Sequence, residues 1–184
     1  MYNNSQRTVL LQLARNAIRY GLDNGKPLTI DPDNFEEALK KMRACFVTLH
    51  LDGSLRGCIG SLEAYQPLIE DIAQNAYSAA FRDPRFSPLT KSEFDSITID
   101  LSILTPASEM HFDSEANLLE QIRPNIDGLI IEDQGRRGTF LPSVWEQLPD
   151  KTEFLTHLKI KAGLSPQHWS NTLKMSRYET ESFG

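Results

Sequence analysis

The 184-residue chain predicts an α+β fold in which an antiparallel sheet is flanked by helices. Two observations carry that prediction. Apolar runs are paired across tight turns over 44–62 and again over 126–142, and helix-period segments stand apart from them at 5–20, 67–82 and 151–164. Strands gathered into hairpins, instead of alternating with helices, give antiparallel pairing with the helices segregated.

The elements follow in order. Val9, Leu10, Leu13, Ala14, Ala17 and Ile18 recur at helical spacing, so the first helix is predicted from Ser5 as N-cap to Tyr20, with Gly21 ending it. A short helix should open at Asp31-Pro32 and run through Phe35 and Leu39. The runs 44–51 and 54–62 meet at Asp52-Gly53, the strongest short hairpin signal, because both turn positions need positive φ. Pro67 starts a central helix rich in alanine, which implies close contact with other backbone, and Asp83-Pro84 ends it. Residues 97–105 alternate as a half-buried strand, and a short helix is expected near 114–121. A second hairpin turns around Gly135-Arg136-Arg137-Gly138, Pro142 leads a brief helix through Trp145, and an amphipathic helix over 151–164 stops at Gly163. The tail reads as a last strand.

Composition narrows the function. Hydrophobic content of 40% and charged content of 24% are ordinary for a globular chain, and the net charge is −6. Residues 1–60 hold 8 Lys/Arg against 6 Asp/Glu and the remainder 11 against 19, so no basic stripe serves a phosphate backbone. Nucleic acid is not the expected partner. No apolar run approaches the ~20 residues of a spanning helix, and the first residues lack the pattern of a secretory signal, so no membrane partner and a cytoplasmic location are expected.

The chemistry concentrates in Leu55-Arg56-Gly57-Cys58-Ile59-Gly60. With a two-residue turn at Asp52-Gly53, Leu49 should face Arg56 and Val47 should face Cys58, so the guanidinium and the thiol are expected on one side with Cys45, Val47 and Leu49. A nearby guanidinium favours the thiolate, the nucleophilic form. Gly57 and Gly60 cost the strand entropy and packing, which suggests close approach by a backbone or a ligand. Cys45 and Cys58 would be diagonal neighbours, ~7–8 Å apart and beyond disulfide reach. The plainer alternative is that Cys58 is a small buried hydrophobe and Arg56 reaches a surface carboxylate.

The same segment, with FVTL at 46–49, AFRDPRFSPL at 80–89, ITIDLSILTP at 97–106, IDGLIIED at 126–133, GTFLPSVW at 138–145 and EFLTHLKIKAGL at 153–164, resembles the AMMECR-one domain family over residues 5–178. The resemblance implies a larger lobe built from both chain ends, a smaller inserted lobe, and a groove between them that the Leu55–Gly60 segment faces. Prokaryotic members resemble the A component of a system that includes a Memo-like protein and a radical-SAM enzyme. No reaction, cofactor or substrate comes with the family. Ser143, where relatives commonly carry glutamine, is a departure.

Other candidates are Asp83 and Arg85, which can bring a carboxylate and a cation to the groove or serve as a helix end and a surface pair. Phe86 reads as a core anchor. Gly135–Gly138 is an anion cradle or a solvated hairpin tip. Glu153 and His157 have ligand spacing on a helix but lack a third partner, and His50, His111 and His168 form no ligand set. The expected function is an accessory or binding domain whose groove holds a small anionic ligand or a partner segment through Arg56, Gly57, Ile59, Gly60, Asp83 and Arg85. The rivals are a thiol enzyme with Cys58 as catalytic nucleophile and His50 or an acid as base, and a scaffold for a partner enzyme. No metal and no cofactor is expected.

Overall fold

The computed structural model describes residues 1–184. Two compact units divide the chain: residues 1–104 with 181–184, and residues 105–180. The helices are α1 (Asn4–Asn24), α2 (Leu68–Phe81), α3 (Lys91–Phe94), α4 (Glu115–Gln121) and α5 (Lys151–Lys161). The strands are β1 (Cys45–Leu51), β2 (Ser54–Gly60), β3 (Ile97–Leu104), β4 (Ser108–Met110), β5 (Gly128–Asp133), β6 (Arg136–Phe140), β7 (Lys174–Tyr178) and β8 (Thr180–Phe183). They make two four-stranded sheets, ordered β2-β1-β3-β8 and β4-β7-β5-β6, so the α+β class holds.

In the first unit, α1 starts two residues earlier than predicted because Asn3, not Ser5, is the N-cap and forms a reciprocal capping box with Gln6. It ends at Gly25 (φ 68°), not at Gly21. Gly21 lies inside the helix, where an added β-carbon would fall 2.5 Å from the Phe81 ring. It is a packing glycine. The segment expected to be one short helix forms two 3₁₀ turns, Pro32–Asn34 and Glu37–Leu39. Helix α2 begins after Pro67 and stops ahead of Asp83-Pro84 as predicted. Its Leu68, Ile69, Ile72, Ala76 and Ala79 share one core with Leu10, Ala14 and Ile18 of α1 and Val47, Leu49, Leu101 and Ile103 of the sheet.

In the second unit, Trp145 stacks on Phe154 with ring centroids 3.7 Å apart and donates its indole N–H to Asp127 O at 2.8 Å. Leu129, Ile131, Leu158 and Met175 complete that core. Helix α4 is capped by Ser114, α5 by Asp150, and Gly163 (φ 77°) follows α5. The second hairpin turns at Gln134-Gly135 (φ 52° and 72°), one position before the predicted tip. Arg136 and Arg137 are therefore strand residues opposite Asp133 and Glu132, which fits the hairpin alternative and not the anion cradle. The tail splits at Glu179 into strands of different sheets.

Candidate functional site

The candidate site is built on the β1–β2 hairpin of the first unit. Asp52 (φ 52°) and Gly53 (φ 76°) make the predicted turn and leave Leu51 opposite Ser54. The register then shifts. His50 pairs Leu55 and Leu49 pairs Gly57, so Arg56 is the extra residue of a β-bulge. Each residue after the bulge falls on the face opposite to the one predicted, because side chains alternate with period two. Cys58 pairs Thr48, not Val47, and Ile59 takes the place beside Val47.

That slip redistributes the motif. Ile59 packs against the main core, and Gly57 is buried facing α2. A β-carbon on Gly57 would lie 2.2 Å from the Ala79 carbonyl oxygen, and one on Gly60 would lie 2.3 Å from the ring of its cross-strand partner Phe46. The space beside the bare backbone is thus filled from within the unit: the Ala79 carbonyl lies against Gly57 and the Phe46 ring against Gly60, while Ile59 packs on the core. Cys45 and Cys58 are both free, and they occupy opposite faces of the hairpin instead of diagonal positions on one.

Arg56 is not the cation beside the thiol. Its Nε and Nη2 fork onto Glu93 at 2.8 and 3.2 Å, and Nη2 also donates to Ser87 O at 2.9 Å. Its side chain is only 11% exposed. Nη1 is buried with no partner, alone among the buried side-chain nitrogens and oxygens of the chain. The Arg56 guanidinium, with the Thr90 amide, holds the Glu93 carboxyl down to about 2.

The second cation is Arg85, and it reaches Cys58 through the backbone. Asp83 Oδ2 accepts the Cys58 N–H at 2.9 Å, and Arg85 Nη2 donates to the Cys58 carbonyl at 3.2 Å. The two side chains are paired at 2.7 Å, the Asp83 side chain 2% and the Arg85 side chain 54% exposed. Hydrogen bonds from Arg85 hold the Asp83 carboxyl far below its usual range. Phe86 is half-buried, not a core anchor, with Arg56 5.8 Å and Arg85 5.5 Å from its ring centroid. Leu89, 4% exposed, is the core residue of that loop.

On the outer face, Thr48 Oγ1 lies 3.3 Å from Cys58 Sγ. Asp100 of β3 stands opposite Thr48, so Cys58, Thr48 and Asp100 form a row across three strands. His50, two residues along β1 on that face, has Nδ1 2.9 Å from Asp100 Oδ2. The ring is anchored to the carboxylate, and no hydrogen bond joins it to the sulfur. Beneath the hairpin the buried Asp71 accepts from Cys45 N–H (2.9 Å), Ser61 Oγ (2.7 Å), Gln66 Nε2 (3.0 Å) and Asn75 Nδ2 (3.0 Å). Burial, followed by the Asp71 charge, raises the Cys45 thiol well above its usual value.

Other sequence candidates fall outside this cluster. Glu153 and His157 are exposed on α5, and no group of three His, Cys, Asp or Glu side chains is placed to hold a metal ion. His168, Ser170 and Thr172 all bond the buried Asp133, at 2.6, 2.6 and 2.7 Å. Ser170 donates to the carboxylate and not to the imidazole, so this is a loop anchor and not a nucleophile with its base. Sequence reasoning missed Thr48, Glu93 and Asp100 as members of the site. Only the hairpin pattern, which sets Thr48 near the motif, offered a signal for any of them.

The comparisons with known proteins agree with this architecture. The family model AMMECR1 matches residues 11–183. A protein of Methanocaldococcus jannaschii is 41% identical, covering 96% of this chain and 92% of its own length. One of Methanothermobacter thermautotrophicus is 38% identical over 95% of this chain and 91% of its own. The crystal structure of an uncharacterized protein from Pyrococcus horikoshii superimposes with a TM-score of 0.80 at 34% identity, over 95% of this chain and 88% of that one. The chain belongs to the AMMECR1 family.

Proposed function

We propose that this protein is a cytoplasmic binding module whose bulged β2 segment receives an anionic group, carried by a small molecule or by a partner segment. The observation that carries the reading is the buried, partnerless Arg56 Nη1. An unmade hydrogen bond from a buried donor costs roughly 1–3 kcal/mol, which a ligand oxygen would recover. Arg56 and Arg85 each already hold a carboxylate, so the site supplies a directed donor and little excess positive charge. Binding should therefore depend weakly on salt. Thermal shift with inorganic phosphate, citrate and an acetylated glutamate peptide tests this, because a ligand of the native state raises Tm by mass action. Wild type should be stabilised by one of these probes, and Arg56→Lys, which keeps the charge and loses the fork, should not. Equal shifts in both proteins, or none in either, would refute it. A Memo-like protein and a radical-SAM enzyme are the macromolecules whose acidic segments are to be tried.

A second reading has its own support. Cys58 is free and half-buried, with Thr48 against its sulfur and the His50–Asp100 pair on the same face. Those residue types suit a thiol nucleophile with an oriented base. If Cys58 works this way, its alkylation by iodoacetamide should be fast at neutral pH and slow in His50→Ala. An alkylation profile that follows an ordinary thiol, of pKa ~8.5, and ignores the histidine would remove this reading.

A further inference from the structure

Strand β2 has a sheet neighbour on one side only. Such an edge presents unpaired amides and carbonyls that invite another strand. Cys58 is where those groups project outward, since its N–H and its C=O both bond away from β1. They are met by two side chains from a single loop, a carboxylate that accepts the amide hydrogen and a guanidinium that donates to the carbonyl. A neighbouring strand would supply the same pair, one acceptor and one donor. Three bonds from Arg85 to Asp83, from N (3.1 Å), Nε (2.9 Å) and Nη2 (2.7 Å), lock the two side chains into one unit. The chain geometry dictates where that unit stands, because Asp83-Pro84 ends α2, the helix packed against Gly57.

We infer that Asp83 and Arg85 act as a side-chain substitute for a missing strand and keep the β2 edge from pairing with a second copy of this chain. The occupant follows from the edge itself. An antiparallel partner for β2 related by a twofold axis is β2 of another molecule, whose outward groups are the same and complementary. Leu55, 42% exposed beside the hairpin turn, adds apolar surface to that edge. The Arg85 guanidinium, half in solvent, is the removable member, whereas the buried Asp83 is fixed by the Cys58 amide. This goes beyond ligand binding at Arg56 and does not depend on it.

Sedimentation velocity on the full chain, wild type against Arg85→Ala, tests the inference. Arg85→Ala frees the Cys58 carbonyl while Asp83 still accepts from the amide, and a far-UV spectrum equal to wild type checks that the variant is folded. The variant should self-associate about tenfold more tightly than wild type, and Arg85→Lys, which keeps one donor, should lie between. Adding Leu55→Lys to Arg85→Ala should restore the wild-type behaviour by placing like charges on the shared edge. Hydrogen exchange gives the second readout: the amides of residues 54–60 should become more protected in the associated Arg85→Ala than in wild type. Identical sedimentation of wild type and Arg85→Ala at every concentration would overturn the inference. So would association that leaves exchange over 54–60 unchanged, since it would run through another surface.

Discussion

Gly57 has α2 where a side chain would go: the Ala79 carbonyl oxygen would be 2.2 Å from an added β-carbon. A backbone oxygen cannot rotate out of the way, so Gly57→Ala should destabilise by about 3 kcal/mol, the upper part of the range for overpacking, as measured by urea denaturation. The two cysteines should separate cleanly by maleimide labelling of the native protein. Cys58, half-buried, reacts first, and Cys45, at 0% exposure with its thiol pushed up by burial, reacts only on unfolding. Glycine, arginine and cysteine were legible in the motif as residue types out of place in an ordinary strand. Their facing was not, because one extra residue at Arg56 inverts the alternation and nothing in the local composition marks it. Glu93 was equally hidden, being 37 positions from the arginine it holds.

At the scale of elements, the hairpin and α2 are joined by Asp71, which is buried without a cation and satisfied by four donors. The donors come from the start of β1, the residues after β2 and α2 itself. Asp71→Ala would strand the Cys45 amide and the Ser61 hydroxyl inside the core, at a cost of roughly 3 kcal/mol. The urea midpoint should fall with its slope unchanged, since the surface exposed on unfolding stays the same. Asp71→Asn should recover part of the loss, because one amide oxygen can still accept. Helices α1, α2 and α5 were legible through their periodicity, whereas the single turn of α3 was not, and Gly21 shows the limit of end signals. A glycine late in a helical pattern looks like a terminator until the Tyr77 and Phe81 rings of another helix are seen against it.

For the whole molecule the consequence is acid sensitivity. Asp83 and Asp133 are held far below the ordinary carboxyl range and Glu93 at about 2, so in each case the folded state binds its proton less readily than the unfolded state. The stability they contribute is complete above their unfolded values, near ~4, and disappears as pH falls through that range toward the folded values. Tm should be flat from neutrality to about pH 5 and fall steeply below ~4. Glu93→Gln and Asp133→Asn should each be less stable at neutral pH and lose less between pH ~5 and ~3, since each removes one of the linked protons. A fall of the same size in all three proteins would mean that other carboxylates govern the transition.

Sequence alone determined the α+β class, the Asp52-Gly53 turn, both ends of α2 and the family, because each rests on local preferences and spacing that survive without knowledge of distant partners. Tertiary structure alone decided which face Cys58 occupies, which carboxylate each arginine holds, and that the glycines of the motif answer to Ala79 and Phe46. Those outcomes depend on register and on loops brought together from far along the chain. A single added residue or a remote acid changes them while leaving every local signal intact.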